Sequence, residues 1–233
     1  MGTTTIPTST RMVTLLRRPG GDGPAPGDFA IEERPIPELG PGQLLLQNIA
    51  MSVDPSMRGR LDVGEKHYTT NFEIGEPLDG SAIGVVLAGS AEHIAVCDVG
   101  RHRMGWREHA VVDATTVTVV DAGAAPVGAW LGVLGQTGFT AWVGLKRIAE
   151  LATGDTVFIS AAAGAVGSAA GRFAKLLGAA RVVGSAGGAA KAAFGGVFAV
   201  AVEADADGLA RSADVPDGEG GGVCTRGAGD DPA

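Results

Sequence analysis

Tyrosine is nearly missing from this 233-residue chain: there is one, Tyr68, and aromatic residues together make up only 5%. That scarcity excludes a short-chain dehydrogenase, whose Tyr-x-x-x-Lys pair would need a lysine where Phe72 stands. Cysteine is as sparse. Cys97 and Cys224 cannot build a disulfide framework or a four-thiolate zinc site, and a cytoplasmic protein is the simplest inference. Positive charge is outweighed: 18 Lys and Arg against 26 Asp and Glu give a formal charge of −8, which argues against nucleic acid as a partner. No run approaches the ~18 consecutive apolar residues of a membrane-spanning helix. Residues 1–11 lack the apolar segment of a secretory signal, and Ile6 stands where a myristoylation signal needs Ser or Thr. No membrane partner is expected. A Gly-x-Ser-x-Gly nucleophile elbow is missing as well.

What is present suits a globular chain, with 45% hydrophobic and 19% charged residues. Glycine is abundant, 38 residues or about 16% against a usual ~7%. Acidity is uneven. Residues 203–233 hold eight Asp and Glu against two Arg, whereas residues 1–202 are close to neutral. With the run Gly218-Glu219-Gly220-Gly221-Gly222, this contrast marks 201–233 as a flexible tail unlike the rest.

Residues 12–120 read as short strands between Pro/Gly turns, with candidates at Leu44–Ile49, Ala82–Ala88, Ile94–Val96 and Val117–Val120, the pattern of a small barrel or sandwich. The texture changes after Asp121-Ala122-Gly123. Thr137–Glu150 reads as a helix with Phe139, Trp142, Val143 and Ile148 on its apolar face. Thr156–Ile159 is a strand, and a Gly-rich turn leads into a helix whose apolar positions are Val166, Ala169, Ala170, Phe173, Ala174 and Leu177. Gly178 is its stop, and Arg181–Gly184 is the next strand. Helix, strand, Gly turn, helix, strand opens a doubly wound parallel sheet. Periodicity fades beyond Phe194, so the sheet is expected to be incomplete. The expected domains are 1–123 (β-rich), 124–200 (a partial nucleotide-binding sheet) and the tail 201–233.

The turn Ala162-Ala163-Gly164-Ala165-Val166-Gly167, with Gly171 beyond it, is a variant of G-x-G-x-x-G with Ala162 at the first glycine. It follows a strand and opens a helix, which is the context a dinucleotide site requires. Gly164 would let the backbone approach a pyrophosphate, and the helix N-terminus would offer N–H groups and partial positive charge. The same small residues would also pack a tight strand-to-helix corner. About 20 residues on, where an NAD site places Asp or Glu, stands Gly184-Ser185-Ala186-Gly187-Gly188. Lys191 follows and could reach a 2′-phosphate, favouring NADPH over NADH, although a solvated helix lysine would look the same.

Four stretches carry a resemblance to the zinc-independent medium-chain dehydrogenase/reductase superfamily, and within it to the NADP-dependent alkenal/one reductases of the prostaglandin and leukotriene B4 dehydrogenase type. They are Ser52-Val53-Asp54-Pro55-Ser56-Met57-Arg58-Gly59, Gly105-Trp106-Arg107-Glu108-His109, Gly135–Trp142, and Ala161–Gly171. The resemblance implies an α/β chain with a GroES-like β-rich catalytic domain followed by an incomplete Rossmann-type doubly wound parallel sheet. It also implies hydride transfer from NADP(H) to the β-carbon of an enone or enal, then protonation of the enolate at the α-carbon. Gly164, Ala165, Val166 and Gly167 would hold the pyrophosphate, and Lys191 matches the lysine that reads the 2′-phosphate. The family is homodimeric. Two departures stand out. Ser56 replaces a substrate-facing tyrosine, and the Asn-Tyr pair that follows the third Rossmann strand in the family has no counterpart, which suggests a shortened or frame-shifted product with impaired activity. A quinone reductase, or a nucleotide-binding fragment without activity, are the alternative readings.

The candidate catalytic residues are therefore Tyr68, which could donate a hydrogen bond to a substrate carbonyl or enolate or simply sit in the core, and Ser56. Asn48, with Ser52 and Asp54, could border the nicotinamide, although Asp54-Pro55 could equally be a turn. Arg58 and Arg60 could face a pocket or water. His93, Cys97, His102 and His109 show no repeated ligand spacing, so no metal is expected, and Arg101-His102-Arg103 reads as an exposed loop.

Overall fold

The computed structural model describes residues 6–21, 23–62, 69–187, 191 and 200–203. The chain divides into two compact units, Met1–Leu131 and Gly132–Ala233.

In the first unit β1 (Ser9–Leu15) pairs antiparallel with β2 (Phe29–Pro35), with Val13 opposite Ile31 and Arg11 opposite Glu33. A five-stranded antiparallel sheet follows: β3 (Gln43–Met51), β4 (Ala82–Ala88), β5 (Val99–His102), β6 (His109–Asp113) and β7 (Thr118–Val119), in the order β6-β3-β4-β5-β7. A short helix, α1 (Ser56–Arg60), lies between β3 and β4, and α2 (Val127–Leu131) ends the unit. Leu44, Leu45 and Leu46 of β3 are all buried. Such a continuous apolar run fits a central strand covered on both faces, and each leucine contributes roughly 1.5–3 kcal/mol of burial. Leu44 and Leu46 pack with Val86, Ala110 and Val112 in one cluster. Leu15, Met57, Leu61, Phe72 and Leu78 form another beneath α1.

One expected strand is absent. Ile94 is held in a tight reversal, exchanging backbone hydrogen bonds with Ala91 (3.0 and 3.1 Å), and Val96 is exposed. His93 and Cys97 adopt left-handed φ values of 69° and 77°, which turn the chain before Ile94–Val96 can extend.

In the second unit α3 (Gln136–Val143) precedes β8 (Thr156–Ile159), α4 (Ala165–Leu176), β9 (Arg181–Ala186) and β10 (Val200–Glu203). The three strands are parallel, in the order β10-β9-β8. β10 lies past the point where periodicity fades. Gly178 ends the α4 region with a left-handed φ of 91°. The helix expected over 137–150 widens within that span: after Val143 the chain makes a wider turn through Gly144–Ile148, closed by Ala149 N–H donating to the Gly144 carbonyl. Its buried face also differs from the expected one. Gly138, Ala141 and Leu145 are buried, while Phe139, Trp142 and Ile148 are exposed. Ala141 and Leu145 pack with Ala169, Ala170 and Ala174 of α4, so the small side chains, which permit close helix approach, face inward. The order of parts is the one the resemblance implies, a β-rich unit and then a parallel Rossmann-type sheet.

Candidate functional site

The turn after β8 is built by close backbone approach. A Cβ on Gly167 would stand 2.5 Å from the Ala161 carbonyl oxygen and 2.7 Å from the Ala162 Cα, so only glycine fits there without moving backbone. Ala161 itself has φ 49°, a left-handed conformation that costs an L residue about 1–2 kcal/mol. The corner is held by Ala162 N–H donating to the Ser185 carbonyl at the end of β9 (2.8 Å) and by Gly164 N–H donating to the Ala161 carbonyl (2.9 Å). Gly164 is the residue before α4, and Ser168 N–H closes the first helical turn onto its carbonyl. The N–H groups of Ala165, Val166 and Gly167 therefore have no partner within the helix. Together with the positive end of the dipole of this 12-residue helix, they suit a pyrophosphate. Lys191 is exposed and helical, five residues past the end of β9.

In the first unit the segment after β3 begins with Ser52 Oγ donating to the Asp54 carboxylate (2.7 Å), and the Asp54 carbonyl accepts Met57 N–H at the start of α1. Asp54-Pro55 is thus a helix entry. Ser56, the first residue of α1, is exposed, and Arg58 forms an exposed ion pair with Asp62 one turn on (2.8 Å). Arg60 faces neither pocket nor water. It is buried, pairs in bidentate fashion with Asp79 (2.5 and 2.7 Å), donates to the Thr70 carbonyl (2.7 Å) and stacks 3.8 Å over the Phe72 ring. The guanidinium holds the Asp79 carboxyl below its ordinary range. Arg60, just past the Ser52–Gly59 stretch, thereby anchors α1 to the segment that follows it.

Asn48 belongs to a buried polar node. Its amide donates to the carbonyls of Met104 (3.0 Å) and Arg107 (2.8 Å), and its oxygen meets His102 Nε2 at 2.8 Å. Met104 N–H donates to His102 Nδ1 (3.1 Å), which places the imidazole proton on Nε2. His102 is 2% exposed, and burial, aided by the Arg107 charge, pushes its pKa down to about 4. It is a neutral core histidine on β5 and not part of an exposed loop: the alternation of V-G-R-H along the strand turns it inward, and the node satisfies its polar atoms. The node ties the Met104–Arg107 segment to β3, and Trp106 within it takes a left-handed φ of 58°.

Above this node lies an open trough of about 360 Å³ between β1, β2, β3 and the strand-like stretch Trp106–Glu108. Val13, Ile31, Ile49, Met51 and Trp106 line it, and the Arg11–Glu108 ion pair stands at its edge.

The expected residues therefore fall in separate places. Asn48 borders the trough with its amide turned to the node, Ser56 is on α1, Gly164–Gly167 and Lys191 are in the second unit, and Tyr68 lies outside the described residues, as does 204–233. Among the described residues, His, Cys, Asp and Glu form no group of three placed to hold a metal. Sequence reading missed the Asn48–His102 node, the Arg60–Asp79 anchor and the trough. The period-two pattern of Val99–His102 was the available signal for the first. The other two join residues far apart in the chain.

Residues 11–120 match the family model described as the N-terminal domain of oxidoreductase. NADPH-dependent curcumin reductase of Escherichia coli (strain K12) is 37% identical over 183 residues, covering 78% of this chain and 52% of that protein. 2-Alkenal reductase (NADP(+)-dependent) of Nicotiana tabacum is 36% identical over 153 residues, covering 65% of this chain and 44% of that protein. The crystal structure of CurA in complex with NADPH from Vibrio vulnificus aligns with a TM-score of 0.76 at 33% identity, over 85% of this chain and 59% of that one. The chain spans about half the length of the curated relatives it matches.

Proposed function

Because this chain belongs to the NADP-dependent alkenal/one reductase branch of the medium-chain dehydrogenase/reductase superfamily, we propose that it binds NADPH and reduces the activated C=C bond of α,β-unsaturated ketones and aldehydes. The observation that carries this reading is the corner at Ala161–Gly167, where a strained alanine and an obligatory glycine present a helix N-terminus with free N–H groups. In this proposal residues 124–200 hold the cofactor and residues 1–123 hold the substrate. Gly164, Ala165, Val166 and Gly167 bind the pyrophosphate through backbone N–H groups, and Lys191 pairs with the 2′-phosphate. NADPH, when bound, supplies a hydride to the β-carbon. Ser56 and Tyr68 are the candidates for steering the substrate carbonyl, and Asn48, the candidate for bordering the nicotinamide, holds the Met104–Arg107 segment through its hydrogen bonds to those two carbonyls. A cytoplasmic location belongs to the same proposal. Two cysteines support it, and among the described residues no helix is long and apolar enough to cross a membrane.

The test is a titration of the 233-residue chain with NADPH, followed by NADPH oxidation in the presence of a 2-alkenal and, separately, a quinone. Saturable NADPH binding, weakened at least tenfold in Lys191→Ala, with turnover of the alkenal, is the expected result. Turnover of the quinone alone would make it a quinone reductase. Binding without turnover of either would make this chain a nucleotide-binding fragment, and no binding would end the proposal.

A further inference from the structure

We infer that the trough between β1, β2, β3 and Trp106–Glu108 is a binding site for the neutral, apolar substituent of an unsaturated carbonyl compound, an inference that rests on the proposed reductase reading for its choice of ligand. Its volume of about 360 Å³ falls within the range of small-molecule pockets and accommodates an aryl ring or a medium alkyl chain. Ile31, Ile49 and Met51 are exposed there although they sit on strands of the unit's own sheets. Val13 and Ile31, directly opposite in register, present their side chains to one face.

The chemistry of the rim selects a neutral ligand. Arg11 and Glu108 neutralise each other. Both Asn48 N–H donors are given to Met104 and Arg107, and the Arg107 guanidinium donates to the Leu78 and Gly105 carbonyls. The donors of Asn48 and the Arg11–Glu108 pair are thus committed to protein partners, so a carboxylate or phosphate would have to displace them. A peptide added as an extra strand is disfavoured as well, because β1 is paired with β2 on one side and hydrogen-bonded on the other, with Val13 N–H donating to Trp106 and Glu108 N–H donating to Arg11. Position supplies the link to the reaction. Met51 leads directly into Ser52–Gly59, and Trp106 packs against the cluster that contains Met57 of α1. A substituent lying in the trough would extend from the segment that carries Ser56.

Binding of 4-phenyl-3-buten-2-one to the full chain, measured by saturation-transfer NMR and calorimetry without NADPH, tests this. Cinnamate serves as the charged probe of similar shape. The neutral enone is expected to bind saturably, cinnamate at least tenfold more weakly, and Ile49→Asp and Ile31→Asp are each expected to weaken the enone at least tenfold. Both positions are exposed, and unchanged unfolding midpoints would show that the variants fold. Equal affinity of the variants, equal affinity for cinnamate, or no enone binding by the wild-type chain would overturn the inference. Enone binding without NADPH-dependent turnover would count against the reductase proposal alone. Intact NADPH binding without enone binding would count against the trough alone.

Discussion

The two units bury their cores in opposite ways. The first is filled by large aliphatic side chains: Leu44, Leu45, Leu46, Ile83 and Val86 are all essentially inaccessible. The second sets small side chains at its helix contact, beside Leu145, Leu151 and Val182. Ala141 of α3 packs with Ala169, Ala170 and Ala174 of α4, while Gly138 and Gly167 let each helix start against the backbone of Val133 and of Ala161–Ala162. The two cores thus fail in different directions. One loses stability when atoms are removed, the other when atoms are added.

That contrast is open to direct attack. Leu46→Ala should cost about 2–5 kcal/mol, because the strand around it is covered on both faces and relaxes little. Gly167→Ala should cost about 1–3 kcal/mol, since its added methyl meets the backbone of Ala161 and Ala162, and it should weaken NADPH binding together with stability. Urea unfolding with a parallel NADPH titration measures both. A negligible cost at Gly167 would break the comparison.

A second effect is of similar size but depends on pH. The His102 pKa is about 4 in the folded chain against an ordinary 6.5, so the unfolded chain takes up the proton first as pH falls. The contribution of neutral His102 to stability is complete above pH ~6.5 and is lost between pH ~6.5 and 4, on the order of 3 kcal/mol in all. The Asp79 carboxyl, held below its ordinary 3.8, acts at lower pH and leaves this window clear. Urea midpoints at pH 7, 5.5 and 4.5 should therefore slope steeply in the wild-type chain and much less in His102→Gln. Equal slopes would remove His102 from the account. The smallest effect sharpens the other end of the scale. Arg58→Ala breaks only an exposed pair one helical turn apart and should cost about 0.3–0.5 kcal/mol by the same unfolding assay, far less than any of the core changes.

Much of the second unit was legible before any coordinates. Strand, Gly turn and helix at 156–176 follow from local periodicity and glycine spacing, and both are properties of neighbouring residues. The helix at 136–148 shows the limit of that logic. Its largest apolar residues, Phe139, Trp142 and Ile148, marked a face that the fold leaves exposed, because packing against an alanine-rich partner rewards close approach more than side-chain size. In the first unit the β3 and β4 strands were readable from apolar runs, whereas Ile94–Val96 was not. Two residues with left-handed backbone decide that turn, and neither His93 nor Cys97 announces it by type.

The sequence by itself determined the kind of chain this is: the succession of β-rich and Gly-turned segments, the dinucleotide corner and the distinctive stretch from Ser52 to Gly59, all written in contiguous residues. The tertiary structure alone decided what those residues do for one another. Arg60 finds Asp79, Asn48 finds His102 across 54 positions, and Val13, Ile31, Ile49 and Trp106 come together around one trough. Local spacing fixes backbone shape through a few neighbouring dihedral angles. A buried pair or a pocket depends on strand register and on which faces are covered, and those are settled only when distant segments compete for the same water-excluded space.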